Sequence, residues 1–149
     1  MTTSKIPTLP CMCASLRRAA RAVTQLYEDA LRPLGLRVTQ FTILQALSLA
    51  GEVTQRELGE LLAIDSTTLT RSLDLLGRRG WVTRRRGDDR RQWRLRLSRA
   101  GESELERATP HWQKAQRSLR THLGHELWAP LMQLTDTITR TSTKEGALL

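Results

Sequence analysis

Apolar residues along this chain repeat with two different periods, and the change between them divides it. From Cys13 onward Leu16, Ala19, Val23, Leu26 and Ala30 recur at steps of three and four, the spacing that lines one face of a helix and makes a seam like that of a coiled coil. Pro33 and Gly35 end it. Thr39 is expected to cap a second helix whose buried side carries Phe41, Leu44 and Leu47 and which stops at Gly51. Thr54-Gln55-Arg56-Glu57 has the form of a capping box, in which the Thr54 hydroxyl accepts from the Glu57 amide while Glu57 reaches back. It opens a short helix with Leu58, Leu61 and Leu62 turned inward. Asp65-Ser66 restarts a helix almost at once. There Leu69, Leu73 and Leu76 form the inner stripe, while Thr67, Thr68, Thr70, Arg71 and Asp74 lie largely outward. Two short helices around a tight turn, the second with a polar outer face, predict a helix-turn-helix.

After Gly77 and Gly80 the period drops to two. Trp81 to Arg86 reads as a strand, Gly87-Asp88-Asp89 as a turn, and on the return strand Trp93, Leu95 and Leu97 alternate with Arg94 and Arg96. One face of this hairpin is expected to pack on the domain, with Trp81 and Trp93 as its core. The other carries guanidinium groups. Ser98 then caps a helix with Leu105, Ala108, Trp112, Ala115 and Leu119 at helical steps, and Pro110 is expected to interrupt and kink it. Gly124 marks a break before a last amphipathic segment of Leu127, Leu131, Leu134 and Ile138. The pattern predicts a mainly α fold with a small β-hairpin: a winged helix-turn-helix over about residues 39–98 of a single domain spanning 1–149. Helices over about 11–33 and 99–140 flank it. Such seamed helices seldom bury their stripes within a chain this short, so a homodimer through them is expected. A twofold dimer would offer two reading heads to DNA half-sites about 34 Å apart.

Charge sharpens the picture. The net charge is +9, and the 22 residues from Arg78 to Arg99 hold ten arginines against Asp88 and Asp89, so +8 of it falls in the hairpin region. A basic concentration of this kind favours a polyanion, double-stranded DNA first. Arginine, used throughout, suits phosphates and base edges and enters a narrow minor groove. A membrane partner is not expected, since no segment approaches the roughly 18 consecutive apolar residues of a spanning helix. Met1 to Pro10 lacks the apolar core of a signal peptide, so a cytoplasmic protein is expected. An enzyme is not expected: there is no phosphate-cradling Gly-rich loop, no nucleophile-base set and no paired carboxylates. No cofactor or metal is called for. His122 and His125 have i, i+3 spacing, but Gly124 separates them, and a metal site needs several convergent ligands.

The order and spacing of several pieces resemble the multiple-antibiotic-resistance regulator (MarR) family of bacterial transcription factors. The pieces are Thr54-Gln55-Arg56-Glu57-Leu58, Ser66-Thr67-Thr68-Leu69-Thr70-Arg71-Ser72-Leu73, Leu76-Gly77-Arg78-Arg79-Gly80-Trp81-Val82, Asp88-Asp89-Arg90-Arg91 and Leu97-Ser98-Arg99-Ala100-Gly101. The resemblance covers roughly residues 13–140. It implies a homodimer closed by the first and last helices that binds pseudo-palindromic operators, most often as a repressor released by a small molecule or by oxidation. It also implies a wing in which Asp89 positions the loop and Arg91 enters the minor groove.

The candidate DNA-binding residues are Ser66, Thr67, Thr68, Thr70, Arg71, Arg84, Arg86, Asp89, Arg90 and Arg91. Arg71 suits a guanine edge or a phosphate. The Ser66, Thr67, Thr68 and Thr70 hydroxyls suit phosphate or base contact, and Ser66 or Asp65 also suits simple capping. Arg84, Arg85, Arg86, Arg90 and Arg94 suit phosphates, which give affinity without sequence information. Cys11 and Cys13, just before the first helix, are either incidental thiols on an arm or a sensor of oxidants, electrophiles or a soft metal. Trp112 and Trp128 suit a dimer interface or an effector cleft. The alternative function is a non-specific architectural, nucleoid-type protein using the same basic wing. The threonine-rich helix with Arg71 favours a specific reader.

Overall fold

The structure is a computed structural model that describes residue 7 and residues 9–89 and 91–145, with side chains through 142. Helix α1 (Met12–Leu31) runs into a 3-10 turn (Arg32–Leu34), closed by Gly35 in the left-handed region at φ +65°. Then follow α2 (Val38–Ala50), β1 (Val53–Thr54), α3 (Gln55–Leu62), α4 (Ser66–Arg78), β2 (Val82–Arg86), β3 (Trp93–Leu97), α5 (Arg99–Leu123) and α6 (His125–Glu145). The strands form one antiparallel sheet in the order β1-β3-β2, with Arg84 opposite Leu95 and Val53 opposite Leu95 on the other side.

Two apolar clusters hold the chain together. The first joins Ile43, Leu44 and Leu47 of α2, Leu58 of α3, Leu69, Leu73 and Leu76 of α4, Val82 of β2 and Leu95 of β3. It is the core of the winged module. The second joins Leu31, Leu36, Phe41 and Ala108, with the Trp112 ring stacked on Phe41 at 5.7 Å between centroids. Trp81 packs against both clusters and so ties the wing base to α5. The tie is tight: a Cβ at Gly101 would come within 2.1 Å of the Trp81 carbonyl oxygen. The Ser98 N–H donates to that same oxygen at 3.0 Å, and the Ser98 hydroxyl caps α5 by accepting from the Gly101 N–H at 3.0 Å. Glycine at this position lets the start of α5 lie directly on the wing base.

Five expectations from the pattern are corrected. Helix α2 begins at Val38, and Thr39 is not its cap. The Val38 N–H is taken by the Glu28 carboxylate of α1 at 3.1 Å, and the Arg37 N–H by the Gln40 side chain at 3.1 Å, so a long-range carboxylate replaces the local hydroxyl. The hairpin gains a third strand, β1, whose two residues are too few to show alternation. Leu61 faces outward, 59% exposed, because α3 has only two turns and Leu58 fills its contact with the core. Trp93 lies beyond the packed part of the sheet, 47% exposed, with the Arg86 guanidinium over its ring at 4.2 Å. Helix α5 runs through Pro110 without interruption, since losing one N–H donor does not end a helix that packs on α1 and α2.

Candidate nucleic-acid interface

The outer face of α4 is set by its first turn. Asp65 caps the helix: its carboxylate accepts from the Thr68 N–H at 2.9 Å and from the Thr68 hydroxyl at 2.6 Å. These bonds favour the ionised form and hold the Asp65 carboxyl below its usual range. Capping therefore belongs to Asp65, with Ser66 as the first helical residue. With Leu69, Leu73 and Leu76 at or below 1% exposure, the helical period turns Ser66, Thr67, Thr68, Thr70, Arg71 and Asp74 to solvent. The Thr70 hydroxyl donates to the Ser66 carbonyl at 2.7 Å and accepts from Nε2 of Gln55 at 2.8 Å. Arg71 is exposed and has no partner among the described residues. The preceding α3 is fixed by the Thr54–Glu57 box, whose two backbone bonds measure 2.7 and 3.2 Å. At the turn between the helices, Ala63 adopts φ +50°.

The wing arginines separate by strand face. Arg84 and Arg86 share a face with their cross-strand partners Leu95 and Trp93. Arg84 pairs with Asp74 of α4 at 2.9 Å, which joins the wing to the outer face of that helix. Arg85 and Arg94 lie on the opposite face, where Arg85 bonds Glu52 at 2.7 Å. That bond, with the nearby charges of Arg94 and Arg96, holds the Glu52 carboxyl below its usual range. At the tip the Gly87 N–H donates to the Gln92 carbonyl and the Gln92 N–H to the Asp89 carbonyl, each at 2.9 Å. The Asp89 carboxylate accepts from the Arg91 N–H at 2.9 Å, an Asx-type bond that shapes the loop. The Arg91 side chain is exposed. Arg90 lies outside the described residues.

Sequence reasoning missed three residues that act on this surface: Gln55, Glu52 and Asp74. Each meets its partner across 10 to 33 positions, so no local signal marked them. Cys11 and Cys13 are exposed at the start of α1, Cys11 in the cap position without a side-chain cap bond. A cleft of about 460 Å³ between α1 and α5 is lined by Leu26, Ala30, Pro33, His111, Lys114 and Ala115. Trp112, stacked on Phe41, does not line it, and Trp128 is half-buried. Among the described residues no three His, Cys, Asp or Glu side chains converge as a metal site, and no helix is long and apolar enough to cross a membrane.

The family model of the MarR family matches residues 34–92, the winged module just described. Over nearly its whole length the chain is also similar to the transcriptional regulator MosR of M. tuberculosis solved in complex with DNA. The identity is 34%, the TM-score 0.81, and the match covers 90% of this chain and 97% of that one. The chain belongs to the MarR family. A cysteine-to-serine mutant of MarR from E. coli, solved with operator DNA, is similar at 26% identity and a TM-score of 0.77, over 85% of this chain and 92% of that one. The HTH-type transcriptional regulator YwoH of Bacillus subtilis is 32% identical over 91 residues, 61% of this chain and 66% of its own length. The match thus spans just under two thirds of that relative. The MarR-type winged helix puts Thr67, Thr70 and Arg71 on the outer face of α4 and Arg91 at the wing tip.

Proposed function

We propose that this MarR-family protein is a sequence-specific, DNA-binding transcriptional regulator. In this reading it acts as a homodimeric repressor of pseudo-palindromic operators. The observation that carries the proposal is the division of labour on one surface: a recognition helix with an exposed polar face beside a wing that holds most of the chain's positive excess. The relatives solved with DNA support it. Arg71 and the side chains of Ser66, Thr67, Thr68 and Thr70 meet the major groove. Arg91, its loop shaped by Asp89, enters the minor groove, and Arg84, Arg86 and Arg90 grip phosphates.

The dimer has its own physical support. Along α6, Leu127, Leu131, Met132 and Leu134 are 40–60% exposed, an apolar stripe of the kind that the core of a dimer interface covers. Release of the operator by a small molecule would use a concave site such as the cleft between α1 and α5, and release by oxidation would use the Cys11 and Cys13 thiols. Competition binding tests the central reading. A duplex selected from a random pool should displace a labelled copy of itself far better than unrelated duplex of the same length. Equal displacement would refute sequence specificity and leave the architectural alternative.

A further inference from the structure

The three threonines of the recognition helix are not chemically equivalent. A threonine hydroxyl has one proton to donate and two lone pairs. In Thr70 the proton is committed: the Ser66 carbonyl, 2.7 Å away, can only accept. The contact with Gln55 at 2.8 Å must therefore be a bond donated by the Gln55 amide to one Thr70 lone pair. Two bonds on one hydroxyl fix the side-chain rotamer, and the methyl group takes the other branch at Cβ. Thr68 is also committed, its proton given to the Asp65 carboxylate at 2.6 Å. Thr67 has no hydroxyl partner among the described residues. All three are exposed.

We infer that Gln55, from outside the recognition helix, makes Thr70 a methyl reader: Thr70 presents its methyl to the C5-methyl of a thymine in the major groove and donates no hydrogen bond to a base edge. The inference rests on the reading of α4 as the recognition helix. Thymine is the base that shows a methyl in that groove, beside an O4 that only accepts, so a side chain with no proton left to give meets that base through its methyl. Gln55 is a positioning residue. It sits at the start of α3, where the Thr54–Glu57 box holds the backbone, so the amide reaches Thr70 from a fixed point. Thr67, with its hydroxyl uncommitted, is left as the threonine of the set that can donate a hydrogen bond.

The test uses the full chain and duplexes selected from a random pool. Each thymine of the selected duplex is replaced in turn by deoxyuridine, which removes the C5-methyl alone, and affinity is read by fluorescence anisotropy. One position in each half-site should lose about fourfold in affinity, the worth of one buried methyl-sized group. Thr70→Ser should abolish that sensitivity, so that thymine and uracil bind alike. Thr70→Val, which keeps a branched side chain of the same shape, should retain it. Gln55→Ala should reduce it without changing the salt dependence of binding, an outcome that mere loss of a surface bond would not produce. No thymine sensitive to loss of its methyl, or the same sensitivity after Thr70→Ser, would overturn the inference. Sensitivity untouched by Gln55→Ala would overturn the role of Gln55. A pool that enriches no sequence would overturn the sequence-specific reading itself, and this inference with it.

Discussion

Arg91 and Gly101 show how differently single residues act here. Arg91 is exposed at a tip whose backbone is shaped by Asp89, so its side chain contributes little to folding and is available for a ligand. Arg91→Ala should weaken binding to the selected duplex by about 1–3 kcal/mol and alter preference at A·T-rich flanks. Affinity and flank preference unchanged in a titration would remove it from the interface. Gly101 is the opposite case. Any Cβ there meets the Trp81 carbonyl, so Gly101→Ala should destabilise the fold by about 3 kcal/mol, as overpacking against an unyielding backbone does. Denaturant unfolding measures this, and a variant as stable as the parent would mean that the wing base can move. Asp65 adds a pH dependence. Its folded-state pKa lies below the ordinary one, so its capping contribution is fully present above the unfolded-state pKa and is lost as pH falls through the folded-state value. Asp65→Ala should lower the melting temperature at neutral pH, with the gap from the parent closing in strong acid.

At the scale of elements the main finding is how the wing is held. Helix α4 and strand β2 are joined by the Asp74–Arg84 pair, and the loop before β1 is joined to β2 by Glu52–Arg85. Both pairs are partly exposed, so each is worth little to stability. Their effect is to set where the guanidinium groups point before DNA arrives. Phosphate contact by Arg84 would be shared with Asp74. Arg84→Ala should lower the slope of log affinity against log salt by about one, and an unchanged slope would leave Arg84 as a tether between wing and helix. The local signals for these elements were readable in the chain. The Thr54–Glu57 box, the Asp65 cap, the Ser98 cap and the Gly87-Asp88-Asp89 turn all appear where the residues called for them, because each involves groups within about five positions of one another. Thr39 failed as a cap for the same reason in reverse: Glu28, ten positions before Val38, takes the Val38 N–H and the helix starts ahead of Thr39.

At the scale of the whole molecule the exposed side of α6 is the feature on which the proposed dimer rests. Leu131 and Leu134 sit one turn apart on a helix that packs within the chain chiefly on α5. Leu131→Glu would place a charge in the proposed dimer seam. It should shift the protein to monomer in sedimentation equilibrium and, with half-sites no longer bound together, reduce affinity for a two-half-site duplex far more than for a single half-site. A dimer unaffected by Leu131→Glu would show that α6 is not the seam.

The sequence by itself determined the long helices and the two hairpin strands, their order, the inner stripe of α4 and the family. All of these rest on periodicity and on caps and turns, which depend on neighbours along the chain. It also marked Arg78 to Arg99 as the basic region. The tertiary structure alone decided what each polar group of that surface touches: Arg84 on Asp74, Arg85 on Glu52, Arg86 over Trp93, Thr70 between Ser66 and Gln55. It likewise decided that Trp93 is exposed and that a two-residue strand completes the sheet. The physical reason is range. Hydrophobic period and capping are short-range and leave a trace in the order of residues, whereas the pairing of exposed charges and hydroxyls depends on which helix and strand the core brings side by side.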